Sequence, residues 1–144
     1  MVEELRIIKQ IHNLSAILSR SQDKLLLERF GIGLSQYKIL YTLLSLERSS
    51  QKYISTMIGQ TEASISRQIK ILIAQDMLIS SINVDNKREH LVRLSPKGLR
   101  FVTEIERVII AKSELLFASF SPKETTQLLN SLNKLNTPTK PKLP

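Results

Sequence analysis

The feature that most constrains this chain is the stretch from Thr61 to Gly98. It opens with TEASISRQIKILI, in which the polar start allows Thr61 to cap a helix. Apolar residues then recur at helical spacing, at Ile65, Ile69, Leu72 and Ile73. Two apolar runs with strand character occupy 78–84 and 89–94, on either side of the charged turn DNKR at 85–88. The stretch predicts a helix with a polar first turn, followed by a β-hairpin with a basic tip.

A short helix is predicted before this stretch, over about residues 51–58, and Gly59-Gln60 makes the turn between the two helices. Two helices joined by a short turn that contains Gly form a helix-turn-helix unit. Farther upstream, Ser35 is placed to cap a helix that runs to Leu46. The inward positions of that helix are predicted at Tyr37, Leu40, Leu43 and Leu44.

Long amphipathic helices are predicted at both ends of the chain. One covers Glu3 to Arg29 and carries an apolar stripe at Ile7, Ile11, Leu14, Leu18 and Leu25. Another starts at Ser95-Pro96, and a capping box at Ser121-Pro122-Lys123-Glu124 starts the last, with leucines at 128, 129, 132 and 135. These stripes exceed what residues 34–98 can cover, so we expect a homodimer; a monomer whose helices fold onto one another is the alternative. Residues 137–144, TPTKPKLP, are predicted to be disordered.

Composition narrows the range of functions. The 144 residues suffice for one domain, and the net charge of +8 favours a polyanionic partner, either nucleic acid or an anionic membrane surface. The chain has no cysteine, which excludes disulfides, thiolate metal sites and thiol chemistry. His12 and His90 are far apart in sequence, so no metal site is expected.

Enzymatic and membrane functions have little support in the sequence. It contains no Gly-rich phosphate loop, no cluster of metal ligands and no nucleophile with a matching His, so we expect neither an enzyme nor a bound cofactor. Its start, MVEELRIIKQ, does not have the pattern of a secretory signal, and no apolar run is long enough to cross a bilayer. We therefore expect a cytoplasmic protein that does not bind membranes.

The order of these elements, with the segments ISTMIGQTEASISRQIKIL and NKREHLVRLSPKG, resembles the MarR family of bacterial and archaeal transcription regulators. The resemblance implies a mainly α fold with a small β-hairpin in a single domain over 1–136. Residues 34–98 would form a winged helix-turn-helix, and 1–33 and 99–136 would supply dimerisation helices. It also implies a homodimeric regulator, more often a repressor than an activator, on a near-palindromic double-stranded operator. A winged-helix protein-interaction module that has lost specific DNA binding is the alternative.

Three positions depart from the family's pattern. Asn86 stands where the family usually has an Asp, Met77 where a helix-ending Gly is common, and Ser81 where an Arg is often found. The first removes a carboxylate that would orient the arginine of the wing, although Asp85 could replace it after a slip of one residue. The second suggests a different end for the recognition helix, since Met tolerates a left-handed conformation poorly.

The resemblance also implies which residues contact DNA. The first turns of the recognition helix would enter the major groove, with base readers at Ala63, Ser64, Arg67 and Gln68. Thr61 and Ser66 would meet phosphate or cap the helix, and Lys70 would add a further contact. At the wing, Arg88 would enter the minor groove while Lys87 and His90 meet phosphates.

Members of the family often respond to small molecules that bind between the dimerisation helices and the winged domain. Candidates for such a cleft are His12, Arg20, Tyr37 and Tyr41. A surface or packing role for each of the four is the alternative.

Overall fold

A computed structural model of the chain describes residues 2–136, and within them it has six helices and three short strands. The elements are α1 (Val2–Phe30), α2 (Leu34–Leu44), β1 (Ser49–Ser50), α3 (Gln51–Ile58), α4 (Glu62–Ala74), β2 (Leu78–Ile82), β3 (His90–Leu94), α5 (Pro96–Leu116) and α6 (Pro122–Asn136). The mainly α fold with a small β-hairpin is confirmed. The predicted disorder of residues 137–144 lies outside the described residues. The chain divides inside α5 into two compact units, one up to Glu106 and one from Arg107.

The sheet is antiparallel, with the strand order β1-β3-β2. The hairpin pairs Leu78 with Leu94 and Ile82 with His90. The two strands are connected as predicted, but each ends sooner at the tip than the predicted ranges 78–84 and 89–94. Strand β1 was not predicted; its two residues, Ser49 and Ser50, pair with Val92 and Leu91. Strand β3 lies between two neighbours, and its Val92 is fully buried.

The core of the first unit lies among α2, α3, α4, the sheet, the end of α1 and the start of α5. Its fully buried side chains are Leu26, Ile39, Leu40, Leu43, Ile54, Ile65, Ile69, Leu72, Val92, Val102 and Ile105. The prediction for Leu44 was wrong, since this side chain is 36% exposed. Ile39, which the sequence did not single out, is fully buried instead. Tyr37, Leu40 and Leu43 are buried as predicted, so the covered face of α2 differs from the expected one only at Ile39 and Leu44.

The prediction that Ser35 caps the start of α2 was wrong. Gly33 occupies the N-cap position, and it forms no side-chain cap. The backbone N–H of Leu34 instead donates to Asp23 Oδ1 of α1 at 2.9 Å. A carboxylate from an earlier helix thus satisfies one of the open donors of α2, and the hydroxyl of Ser35 is left for another partner.

Helix α4 ends in a left-handed turn. Asp76 has a φ of 58°, and the N–H of Met77 donates to the carbonyl of Leu72 at 2.9 Å, which is the bonding of a Schellman motif. The residue that takes the left-handed conformation is therefore Asp76, and Met77 is the buried residue that follows it. Gly98 of α5 packs on this turn so closely that a Cβ would lie 2.0 Å from the carbonyl oxygen of Met77.

The described part of the second unit, residues 107–136, comprises the last part of α5 and all of α6. The predicted capping box is confirmed, since Ser121 N–H donates to Glu124 Oε2 at 2.8 Å and Glu124 N–H donates to Ser121 Oγ at 3.2 Å. The bond from the backbone of Ser121 lowers the pKa of Glu124. No residue of α6 is buried.

Candidate nucleic-acid interface

Helix α4 presents a polar face opposite its buried one. Ile65, Ile69 and Leu72 lie in the core, and their spacing turns Ala63, Arg67 and Lys70 towards solvent. Three further predicted contacts, Ser64, Ser66 and Gln68, are half-buried along the edges of that face. The structure thus leaves the six predicted residues within α4 on or beside one accessible surface.

The first turn of α4 is well ordered by its cap. Thr61 is extended, and its Oγ1 accepts the backbone N–H of Ser64 at 3.2 Å. The predicted capping role of Thr61 is therefore confirmed. Other N–H groups at this end have no partner within the helix, and the helix dipole adds positive potential there, which suits an anion such as phosphate.

Sequence reasoning missed Gln60 as a site residue. Its Nε2 donates to Ser35 Oγ at 2.8 Å, and its Oε1 accepts from Ser64 Oγ at 3.5 Å. Gln60 thereby joins the start of α2 to the exposed tip of α4. The available signal was its position directly before the cap residue, where a long polar side chain can reach the first turn.

The tip of the hairpin is organised by hydrogen bonds from side chains to the backbone and to one another. Asn83 Nδ2 donates to Glu89 Oε2 at 2.7 Å, and Asn83 Oδ1 accepts the N–H of Asp85 at 3.0 Å. Asn86 Oδ1 accepts the N–H of Arg88 at 3.2 Å. Asn86, the departure from the family's Asp, therefore still shapes the turn, although through the backbone of Arg88 rather than its guanidinium.

The basic side chains of this tip are accessible. Lys87, Arg88 and His90 are exposed, as is Ser81. Within residues 2–136, no ion pair joins Asp85 to Arg88, so the predicted replacement of the family's carboxylate does not form. The guanidinium of Arg88 is consequently available to a partner outside the chain.

The four candidates for an effector cleft fall into two pairs. Tyr37 is buried and donates its hydroxyl proton to Glu106, while Tyr41 is 53% exposed with its ring 6.0 Å from that of Tyr37. Burial, and then the bond to Glu106, raise the pKa of Tyr37 well above its usual value. His12 and Arg20 are exposed on α1, and among the described side chains neither has a bond or ring contact to the tyrosines.

Two other kinds of site, a metal centre and a membrane-spanning helix, are absent from the described part of the chain. His, Asp and Glu side chains form no group of three there that could hold a metal ion. None of the helices described between residues 2 and 136 has the length and apolar character to span a membrane.

Comparison with known proteins is consistent with this geometry. Residues 32–90 match the family model described as MarR family. The HTH-type transcriptional regulator YwoH of Bacillus subtilis (strain 168) is 26% identical over 118 residues, which cover 82% of this chain and 85% of that protein.

Solved structures share the fold. A MarR/EmrR family transcriptional regulator from Acinetobacter sp. ADP1 superposes with a TM-score of 0.79 and 25% identity, covering 92% of this chain and 93% of the other. The C80S mutant of MarR from E. coli, solved in complex with operator DNA, superposes with a TM-score of 0.72 and 18% identity, covering 90% and 95%. With the helix-turn-helix and hairpin described above, these findings show that residues 32–90 resemble the MarR family and that most of the chain has the fold of MarR-type regulators.

Proposed function

We propose that this protein is a sequence-specific regulator that binds double-stranded DNA in the cytoplasm, as a homodimer on a near-palindromic operator, and acts as a repressor. The observation that carries the proposal is the accessible polar face of α4, on which Ala63, Arg67 and Lys70 are exposed above a fully buried apolar face. Such a helix has the dimensions and chemistry to lie in a major groove. The DNA complex of the E. coli relative supports the same use of the fold. Members of the family regulate transcription and are not enzymes.

The hairpin supplies the second part of the proposed interface. Lys87 and Arg88 are exposed at its tip, and Asn86 fixes the backbone at Arg88. A free guanidinium on a projecting turn suits the negative potential of a narrow minor groove. The alternative function, a protein-interaction module without DNA binding, depended on departures around the wing. The bonds of Asn83 and Asn86 weaken that alternative, because they preserve an ordered tip.

Exposed apolar faces on the terminal helices support the proposed homodimer. In the first unit, the amino-terminal half of α1 exposes Ile7, Ile11 and Leu14, each by 38% or more. In the second unit, α6 has leucines at 128, 129, 132 and 135 that are 37–65% exposed. Apolar stripes of this kind mark interfaces, and a second copy is the partner that each chain always has available. Two recognition helices would then address half-sites about one helical turn apart.

Relief of DNA binding by a small molecule is part of the proposal. Of the candidate residues, Tyr41, His12 and Arg20 are exposed and could meet a ligand directly. Tyr37 would act through its ring, since its hydroxyl is already bonded to Glu106.

The decisive experiment selects bound sequences from a library of random duplexes and then compares variants on the selected operator. Arg67→Ala should weaken specific binding by about 1–3 kcal/mol per half-site and relax the preference at one base pair of each half-site, since a bidentate arginine contact to guanine is worth that much. Arg100→Ala, which removes an exposed arginine from α5, is the matched control and should retain the preference. Unchanged binding by Arg67→Ala would exclude α4 as the reading helix.

The contribution of the wing is measured by the salt dependence of binding. Lys87→Ala and Arg88→Ala should each reduce the magnitude of the slope of log affinity against log salt by about 2 per homodimer, because each of the two wings releases one fewer counterion. Arg29→Ala, at the exposed end of α1, removes the same charge elsewhere and should leave the slope unaltered. Equal slopes in all four proteins would remove the hairpin from the interface.

A further inference from the structure

Gln60 ties the tip of α4 to the elements beneath it. Its half-buried side chain donates from Nε2 to Ser35 Oγ at 2.8 Å, and its backbone N–H donates to the carbonyl of Ser55 at 3.1 Å. The residue is therefore held by α2 through its side chain and by α3 through its backbone. With the nitrogen end of the amide committed to Ser35, the oxygen end faces the first turn of α4.

Ser64 donates its hydroxyl proton to that oxygen. Its Oγ lies 3.5 Å from Gln60 Oε1, and its backbone N–H is committed to Thr61 Oγ1 at 3.2 Å. A serine hydroxyl has one proton to donate and two lone pairs that accept. With its proton directed at Gln60 Oε1, Ser64 presents its lone pairs to an outside partner.

We propose that Gln60 sets the hydrogen-bond polarity of Ser64, so that Ser64 contacts the exocyclic amino group of an adenine or a cytosine. The inference rests on the proposed function and deepens it. In the major groove, adenine N6 and cytosine N4 are donors, whereas guanine O6, thymine O4 and the purine N7 atoms are acceptors. A serine with a free proton serves either kind of group, but an acceptor-only serine serves the amino groups alone.

Each base pair carries one such amino group in the major groove, on its adenine or its cytosine. Ser64 therefore selects the orientation of a pair that brings the amino group to its side. Gln60 makes no DNA contact in this arrangement and is a positioning residue. A role in stability alone would alter affinity for every duplex equally, so the preference at one pair distinguishes the two.

The test uses the full chain and an operator selected from random duplexes. The pair at which Ser64→Ala loses its preference is taken as the Ser64 contact. At that pair, one set of duplexes carries purine in place of adenine, or pyrimidin-2-one in place of cytosine, so that the amino group is deleted. A second set carries a 7-deazapurine, so that N7 is deleted. Loss of the amino group should weaken wild-type binding about two- to tenfold, the size of one net hydrogen bond, and loss of N7 less than about twofold.

Two variants of Gln60 separate polarity from affinity. Gln60→Ala frees the proton of Ser64, which can then donate to the base acceptor that a reversed pair presents, so reversing the pair should now cost less than about twofold. Gln60→Glu can still accept from Ser64, so it should retain the wild-type cost of reversing the pair even though its negative charge weakens binding overall. Ser35→Ala removes the partner of the amide without altering the turn or α4, and it should reduce that cost partly. Gln75→Ala, at the exposed opposite end of α4, is the matched control and should behave as wild type.

Four results would overturn the inference. Wild-type binding that depends on N7 and not on the amino group would mean that the amide donates to Ser64. An undiminished cost of reversing the pair in Gln60→Ala would mean that Gln60 does not set the polarity. A Ser64→Ala protein with unaltered preferences at every pair would remove Ser64 from base reading while leaving the proposed function intact. Failure of the wild-type protein to bind any duplex would overturn the proposed function as well.

Discussion

The central region of the chain, residues 25–106, and its terminal helices, residues 2–24 and 107–136, differ in what they bury. Every buried apolar side chain in the described residues belongs to the central region. The terminal helices have regular amphipathic patterns of the same quality, yet α6 has no buried residue. Pattern alone therefore shows that a helix needs a partner face, and it does not show whether the same chain provides it.

This difference assigns separate roles to the two regions. The central region satisfies its own apolar faces, so it can hold the tip of α4 in a fixed geometry. A helix of 15 residues such as α6 is marginal in water by itself and depends on packing. The terminal helices are therefore where we expect stability to depend on association.

Truncating one aliphatic residue in each region tests this division, with the largest expected effect in the centre. Ile65→Ala should lower the free energy of unfolding by about 2–5 kcal/mol at every protein concentration, because it opens a cavity in the core. Leu132→Ala, on α6, should cost less than about 0.5 kcal/mol in dilute protein, since the side chain is partly exposed there. Urea unfolding followed by circular dichroism measures both.

Repeating the unfolding measurements at several protein concentrations tests whether α6 is stabilised by association. If α6 packs against a second copy, the cost of Leu132→Ala should rise as concentration favours the dimer, because folding and association are then linked. Sedimentation of the same samples reports the oligomeric state directly. A Leu132→Ala protein with a small cost at all concentrations, together with an unchanged sedimentation coefficient, would break the proposed link between apolar exposure and association.

A second test concerns how tightly the central region is packed where α5 meets the end of α4. Gly98→Ala should destabilise the fold by about 1–3 kcal/mol, because the new Cβ would overlap the backbone of Met77. Gly33→Ala is the matched control, since its Cβ would lie 3.8 Å from the nearest side-chain atom, which is ordinary contact. Similar thermal stability in the two variants would show that this junction can yield, contrary to the packing described.

Local signals in the sequence predicted most helices and the hairpin. The caps at Thr61 and Ser121 were correct because a cap depends on residues within one turn of it. Strand β1 was missed because two serines carry no periodic pattern; they form a strand only because β3 lies beside them. Ser35 failed as a cap because the helix starts before it, at Leu34, whose N–H is satisfied by Asp23, eleven positions earlier in sequence.

The sequence also predicted which residues of the candidate site are exposed, but not how they bond to one another. The exposed face of α4 follows from the spacing of its buried isoleucines, so Ala63, Arg67 and Lys70 could be named in advance. The bond from Gln60 to Ser35 could not, because it joins residues 25 positions apart and depends on how α2 packs against the turn. Sequence periodicity identifies the face of a helix, whereas the polarity of one hydroxyl on that face requires the tertiary structure.

The smallest predicted effect lies at the boundary between the two regions, where Tyr37 donates to Glu106. Tyr37→Phe should cost about 1 kcal/mol at neutral pH, the net value of one hydrogen bond. The folded state raises the pKa of Tyr37, so its contribution is present below about pH 10, the usual tyrosine value, and is lost as the pH rises through the folded pKa. The stability gap between wild type and Tyr37→Phe should therefore narrow above about pH 10 in urea unfolding series. Tyr53→Phe, which alters a half-exposed ring, controls for loss of a tyrosine and should give no such change. A gap that stays constant to about pH 11 would mean that folding does not raise the pKa of Tyr37.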